Sequence, residues 1–254
     1  MIKRVSFVIL LLLIAVLAFS ACGVLSEPEA PSAPIEAVPL AEPTAEEAVA
    51  EPTAEEGVVE PTAEESVAEP AAAVSGGVTV YTISPEGSLV RFELDEDLRG
   101  ERVTVVGETD QVAGELAIDL NNLADTQVGV MQINARGLAT DNNFRNRAIQ
   151  NEILNTGNFE FITFEPTAVT NLPESAAVGD TVEFTIEGNL TITDKTQPVS
   201  FAVTATMVSE DQITGTATAV VNRTDFGLNI PSVPNVANVE EEVELTINFT
   251  ANAS

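Results

Sequence analysis

The fold class is decided by one stretch in the second half of the chain, Thr181-Val182-Glu183-Phe184-Thr185-Ile186-Glu187. Apolar and polar residues alternate in it with a period of two, as they do along a strand that buries one face and exposes the other. The same alternation recurs in residues 199–203 and 243–249, and more weakly in residues 89–93, 112–120, 128–134, 159–164 and 213–221. Half-buried strands of this kind build antiparallel sheets, so residues 78–254 are predicted to form an all-β domain.

Turn sequences rich in Gly, Pro and Asp separate the predicted strands. They stand at residues 84–87, 178–180 and 193–196. One stretch has the period of a helix instead, with Asp141 placed to cap it and with Phe144 and Ile149 on its apolar face. About eight strands with one short inserted helix favour a closed antiparallel β-barrel, because closure leaves no strand edge unpaired. A β-sandwich of the immunoglobulin type is the alternative that the pattern leaves open.

The amino terminus has the form of an export signal. Lys3 and Arg4 precede an almost unbroken apolar run, residues 5–18, which is short for a transmembrane span. The sequence Phe19-Ser20-Ala21-Cys22 resembles the lipobox of bacterial lipoproteins, in which the cysteine is acylated and the chain is cut just before it. Residues 1–21 are therefore predicted to be a signal peptide. Cys22 is predicted to carry a lipid that anchors an exported protein to the cell membrane or the outer membrane, facing the periplasm or the cell exterior. An ordinary signal peptide or an uncleaved anchor helix is the alternative, and either still gives an exported protein.

Residues 22–77 show neither strand alternation nor a helical stripe. A repeat of the form Glu-Pro-Thr-Ala-Glu-Glu begins at Glu42, Glu51 and Glu60 and fades at Glu69. Acidic, proline-containing sequence without aromatic residues cannot bury enough apolar surface to offset the entropy that ordering costs. The segment is predicted to be a disordered tether that carries the domain away from the lipid surface.

Composition excludes several classes of function. The formal net charge is -30, from 10 basic and 40 acidic residues, which repels nucleic-acid backbones. The chain has no histidine and one cysteine, so it cannot build a histidine base, a cysteine–histidine pair or a zinc site of the usual spacing. It also lacks a nucleophile elbow and a phosphate-binding loop. Neither catalysis nor a metal is therefore predicted. The acidic runs 95–97 and 240–242 lack the spacing of a calcium loop and are interpreted as solvated charge.

Several motifs resemble the YceI-like family. Residues 188–199, with the sequence GNLTITDKTQPV, are similar to its G-x-L-T-I-x-G-x-T-x-P-V hairpin, and residues 222–227, NRTDFG, to its R-x-D-F-G segment. The strands at 81–83 and 88–92, the helix and the strand at 159–164 fit the family pattern as well, so the resemblance covers nearly all of residues 78–252. The family often has His, Tyr-Pro and Gly where this chain has Gly87, Phe159-Glu160 and Asp194.

The resemblance implies a lipocalin-like barrel of an exported bacterial protein that encloses a polyisoprenoid such as a quinone or a prenyl diphosphate. Homodimers are frequent in the family, and no strand edge in this sequence decides whether this chain forms one. Because this chain differs from the family at Gly87, Phe159-Glu160 and Asp194, the residues that would contact the head group are not assigned. The candidate ligand-binding residues, in the barrel interior or at its mouth, are Phe92, Phe144, Phe161, Phe184, Phe201, Arg223, Asp225 and Phe226.

Some of these residues have a second interpretation. Arg223 and Asp225 either line the mouth or pair with each other, while Arg145 and Arg147 either attract an anionic head group or form a solvated helix face. A barrel of about eight strands is wide enough either to be filled by side chains or to hold one slender ligand. The main alternative function is therefore a cell-surface protein-interaction module with a packed barrel and no ligand.

Overall fold

The computed structural model describes residues 27–40 and 77–254. The predictions for the signal peptide, for Cys22 and for the acidic repeats lie outside the described residues. Within the described ranges, no helix combines the length and the apolar character needed to cross a membrane. The same ranges hold thirteen strands in one antiparallel sheet. The strands are β1 Val78–Ile83, β2 Leu89–Leu98, β3 Glu101–Thr109, β4 Val112–Ala113, β5 Glu115–Asp119, β6 Gln127–Val128, β7 Met131–Asn134, β8 Phe161–Thr170, β9 Thr181–Ile192, β10 Lys195–Ser209, β11 Gln212–Asn222, β12 Val236–Ala237 and β13 Glu242–Ala253.

The sheet curls into a barrel. Strands β7 to β11 pair in chain order, β11 pairs with β13, β13 with β1, and β1 with β5. Only Gly114 separates β5 from β4, and β4 pairs with β7, so the path of pairing returns to the strand where it began. Strand β2 pairs with the first half of β13 and, with β3, widens the wall at one end. The prediction of a lipocalin-like antiparallel barrel is confirmed.

Helical structure is confined to short segments. The predicted inserted helix is present as α1, Asn143–Arg147, continued by a π-helical turn, Ala148–Ile153. Its cap is Asn142, whose side-chain oxygen accepts hydrogen bonds from the backbone N–H of Phe144 and Arg145 at 2.9 and 3.2 Å. The prediction of Asp141 as the cap is therefore wrong by one residue. The remaining segments are 3₁₀ turns at Leu123–Asp125, Ala135–Gly137 and Arg223–Phe226.

The β9–β10 hairpin shows how the alternation builds the core. Its strands pair from Lys195 and Ile192 at the turn to Thr206 and Thr181 at the far end. Along β10 the buried residues are Phe201, Val203, Ala205 and Met207, and the residues between them face outward. At the centre of the barrel, the rings of Phe164 and Phe201 meet edge to face with centroids 5.0 Å apart. The two inward faces thus meet in one apolar interior.

One polar side chain is tied into this core. Tyr81, the only tyrosine of the chain, is 1% exposed, and its hydroxyl donates a hydrogen bond of 2.8 Å to the backbone oxygen of Glu210. Burial of the phenol, with the negative charges of Asp211 and Glu210 nearby, raises the pKa of Tyr81 above its ordinary value of 10.0. The neutral phenol therefore stabilises the fold.

We expect Tyr81→Phe to lower the free energy of unfolding by about 1 to 2 kcal/mol near neutral pH, because a buried carbonyl loses its donor. Since the pKa is raised on folding, stability is constant below the pKa of the unfolded chain and falls as the pH rises from there through the pKa of the folded protein. Urea unfolding at several alkaline pH values, with phenolate absorbance as the probe of Tyr81, measures both effects. An equally steep alkaline loss of stability in Tyr81→Phe would contradict this assignment.

Residues 27–40 differ from the prediction of a free tether. They form neither helix nor strand, but they contact the barrel. The backbone N–H and hydroxyl of Ser32 donate to Glu160 Oε1 at 2.8 and 2.9 Å, and the N–H of Leu40 donates to Glu115 Oε2 at 2.9 Å. Prolines restrict the backbone of this segment before it docks, so ordering it costs less entropy than composition alone suggests. We call residues 27–40 the strap.

Candidate ligand-binding cavity

The larger cavity lies at the end of the barrel where β2 and β3 widen the wall. Its volume is about 490 Å³, within the range of small-molecule sites. The walls come from the inward faces of β2, β11 and β13, from the helical segment after Asn142, and from residues 228–239. Most of these side chains are apolar. They include Phe92, Leu94, Ile149, Val221, Phe226 and Leu245.

Strand β2 shows why these side chains face inward. Phe92, Leu94, Glu96 and Leu98 follow each other at every second position, and all four line the cavity. Phe92 lies opposite Gly107 of β3, and a Cβ atom at Gly107 would overlap the Phe92 ring. A glycine at this position therefore leaves room for the ring against the neighbouring strand.

Glu96 is the residue that sequence reasoning missed. Its side chain is 8% exposed and pairs with Arg145 of α1 across 2.9 Å, while the same guanidinium binds Asp141 at 2.6 Å. The interpretation of residues 95–97 as solvated charge is therefore wrong for Glu96. The alternation of β2 was the available signal, because it places position 96 on the inward face with Phe92 and Leu94. Arg145 lines the cavity as well, so this ion pair is a polar feature in a largely apolar wall.

Arg223 lines the cavity and fastens one of its walls. Its guanidinium donates to the backbone oxygens of Leu228, Val239 and Glu240 at 3.0, 3.4 and 2.8 Å. These bonds hold both ends of the segment 228–240 against β11. Asp225 points outward and is exposed, and its backbone oxygen accepts a hydrogen bond from the Gln197 amide at 2.8 Å. Of the two roles that the sequence left open for Arg223, pairing with Asp225 is not what the structure shows, because the guanidinium binds these backbone oxygens instead while the residue lines the cavity.

We expect Arg223→Lys to loosen the wall formed by residues 228–240, because a single ammonium cannot reproduce the three directions of the guanidinium. Hydrogen bonds to charged groups contribute about 1.5 to 3 kcal/mol when buried, and less here because the site is partly exposed. Hydrogen exchange should speed up within residues 228–240 and stay unchanged in the β9–β10 hairpin. Equal protection of the segment in both proteins would mean that packing alone holds it.

A second, smaller cavity of about 110 Å³ lies in the other half of the barrel. Phe184 and Phe201 line it, as do Ile186 and Ala217. Along β9 and β11, the buried residues Leu190 and Ala219 stand between the linings of the two cavities. A layer of core side chains therefore separates the two apolar chambers.

The predicted site residues fall into three groups. Phe92, Phe144, Arg223 and Phe226 line the larger cavity, and Phe184 and Phe201 line the smaller one. Phe161 and Asp225 line neither. Phe161 is 40% exposed on the outer face of β8, and the neighbouring Ile162 lines the larger cavity instead. The assignment of Phe161 to the interior is wrong by one position, which in a strand exchanges the two faces.

The fold and the cavity define a class: lipocalin-like antiparallel barrels that enclose an apolar chamber. The family model of the YceI-like domain matches residues 81–251. The chain therefore belongs to the YceI-like family, as the hairpin and NRTDFG motifs indicated. No curated protein matches the chain.

Solved structures share this fold. One is a polyisoprenoid-binding domain from Saccharophagus degradans implicated in plant cell wall breakdown, with 14% sequence identity and a TM-score of 0.55, covering 69% of this chain and 99% of that one. Another is BcnA of Burkholderia cenocepacia, with 17% identity and a TM-score of 0.53, covering 67% of this chain and 99% of that one. At these identities the likeness establishes the fold alone.

Proposed function

We propose that this chain is a membrane-anchored extracytoplasmic protein that holds or transports a polyisoprenoid, of the quinone or prenyl diphosphate type, inside its barrel. The observation that supports this most is the larger cavity, whose wall is largely apolar. An isoprenoid tail has no group that forms hydrogen bonds, and each methylene moved from water into such a chamber contributes about 0.8 kcal/mol. Similarity to a polyisoprenoid-binding domain points to the same class of ligand.

The polar groups of the cavity are suited to holding a head group. Four ionisable side chains line the cavity among apolar neighbours, namely Glu96, Arg99, Arg145 and Arg223. A few placed polar groups in an apolar pocket orient a ligand and distinguish its polar end from its tail. The tail would then lie along the apolar strands, with a quinone ring or a diphosphate near these residues.

A packed interaction module is the competing proposal. It requires a barrel interior filled by side chains, whereas the larger chamber measures about 490 Å³. Catalysis has no comparable support, since the family fold is a binding fold and the chain contains no histidine. We therefore favour binding without chemistry.

Native mass spectrometry of the full chain, exported into a lipid-containing envelope and released in detergent, tests the binding proposal. We expect an added mass that denaturation releases as an isoprenoid, and the same spectrum reports whether the protein is a homodimer. A mass equal to that of the protein alone, unchanged after incubation with quinones and prenyl diphosphates, would overturn the proposal in favour of the interaction module. In the matched Cys22→Ser chain, the isoprenoid should remain while membrane flotation is lost.

A further inference from the structure

The strap is bound to a polar cluster at its upstream end. Glu29 Oε2 lies 2.7 Å from Arg136 Nη2, and the backbone oxygen of Ala30 accepts from Arg136 Nη1 at 3.4 Å. Two residues further on, Ser32 donates twice to the Glu160 carboxylate. Three strap residues thus bind two charged side chains of the barrel.

These two side chains are held in place by the barrel itself. Arg136 and Glu160 are 11% and 13% exposed, and they pair across 3.2 Å. Asn134 donates to Glu160 at 2.8 Å, and Arg136 Nε donates to the backbone oxygen of Thr156 at 3.0 Å. Burial acts to raise the pKa of Glu160, but the hydrogen bonds from Ser32 and Asn134 and the charge of Arg136 outweigh it and lower the pKa. The carboxylate that receives the strap therefore stays ionised.

This cluster lies at the end of the barrel that contains the larger cavity. Each of the cluster residues Arg136, Thr156 and Glu160 has an apolar residue two positions away in the chain. These residues are Leu138, Leu154 and Ile162, respectively. All three of these apolar residues line the larger cavity. The opposite end of the strap, at Leu40, contacts Glu115, whose neighbour Leu116 lines the smaller cavity. The strap therefore runs from the level of the larger cavity towards that of the smaller one, with its upstream end at the larger.

The length of chain before the strap limits how far this end can be from the membrane. Only residues 23–26 separate Cys22 from Glu27. Five residue steps reach at most about 18 Å, even when fully extended. A lipid on Cys22 therefore keeps the upstream end of the strap close to the bilayer. The acidic repeats, which follow the strap, cannot increase this distance while the strap is docked.

Exposed apolar side chains lie on the same cavity. Phe144 of α1 is 67% exposed and Val233 is 43% exposed, and both line the larger cavity. Exposure of an aromatic ring to water is unfavourable, and the ring beside the opening of this apolar chamber would be stabilised by contact with a lipid interface. These two residues are suited to contact with a bilayer.

We propose that the strap orients the barrel on its own membrane, with the opening of the larger cavity and Phe144 against the lipid surface. This inference rests on the proposed lipid at Cys22. Its consequence is that an isoprenoid can pass between bilayer and chamber without crossing open water. The strap, rather than the acidic repeats, then sets the distance of the domain from the membrane.

The absence of tryptophan allows a direct test. Two chains are prepared in lipidated form in phosphatidylcholine vesicles, Phe144→Trp and, as the matched control, Val178→Trp. Val178 is 50% exposed in the β8–β9 connection, beside Asp180 of the smaller cavity. Lipids brominated on their acyl chains quench tryptophan only on contact. We expect quenching of Phe144→Trp at least threefold stronger than that of Val178→Trp.

A third variant distinguishes the effect of the strap from that of the lipid anchor. Replacing residues 27–40 by an equal length of Gly and Ser removes the strap contacts without altering the barrel, and it should bring the quenching of Phe144→Trp down to that of Val178→Trp. Equal quenching at both positions with the native strap, or unchanged quenching after its replacement, would overturn the orientation while flotation shows the anchor intact. Failure of the native chain to float would overturn the anchor itself, and the orientation with it.

Discussion

Val221→Phe is expected to weaken isoprenoid binding by about a hundredfold. Val221 of β11 lines the larger cavity and is 8% exposed, so the larger ring must enter the chamber. The substitution adds four carbon atoms to the side chain, and these exclude a similar number of ligand carbon atoms from the chamber. At about 0.8 kcal/mol for each methylene, the loss is about 3 kcal/mol, and each 1.4 kcal/mol is a factor of ten in affinity. Native mass spectrometry and titration with a quinone measure the loss.

The neighbouring position supplies the matched control. Val220 stands one residue earlier on the same strand, is 64% exposed and lines neither cavity. Val220→Phe makes the same chemical change on the outer face and should leave affinity unchanged. Circular dichroism of both variants checks that the sheet is intact, since overpacking a core costs about 1 to 3 kcal/mol. If a folded Val221→Phe binds as tightly as Val220→Phe, the ligand does not occupy the larger chamber.

Phe201→Ala should have the largest effect on stability. The ring is 4% exposed and meets Phe164, itself 5% exposed, edge to face. Truncation of a buried phenylalanine costs about 3 to 5 kcal/mol, through lost transfer energy and the cavity that remains. For a domain of this size, that lowers the melting temperature by roughly 10 °C or more. Urea unfolding at neutral pH and thermal melting measure the two quantities.

The Phe164→Ala and double variants complete a thermodynamic cycle for this pair. An edge-to-face contact contributes about 0.5 to 1.5 kcal/mol beyond burial, so the double variant should lose less than the sum of the two single losses by about that amount. Strictly additive losses would mean that the rings stabilise the barrel independently. Because Phe164 and Phe201 line the smaller cavity and not the larger, isoprenoid binding at the larger cavity should survive in any variant that remains folded.

Which residues face the interior was predicted correctly where alternation was regular and incorrectly where its phase was ambiguous. Phe184 and Phe201 lie in long paired strands, and both face the interior. Phe161 opens β8 where the weak alternation of residues 159–164 changes phase, since Phe159 and Phe161 share one phase and Ile162 and Phe164 the other, and the inward residue is Ile162. The prediction that Glu96 is solvated was wrong for a different reason, because its charge was given more weight than its inward position in the alternation. Its partner Arg145 is 49 residues away in the chain, so the ion pair that permits its burial cannot be predicted locally.

The strap was missed because composition describes a segment by itself. Its sequence lacks the apolar residues needed for a core, and that conclusion is correct. Docking instead depends on Arg136 and Glu160, which the barrel brings together, and on prolines that reduce the cost of ordering. Such contacts lie more than a hundred residues away along the chain.

The sequence by itself determined the antiparallel strands, the inserted helix and the family, because a period of two and a few turn motifs are local properties of a chain. Only the tertiary structure decided that the barrel contains two chambers, that Glu96 pairs with Arg145, and that residues 27–40 lie against the wall. A cavity is the volume left between side chains of strands that are distant in sequence. Its size depends on how the sheet curves and on which residues meet across it, and neither quantity is encoded in any single stretch.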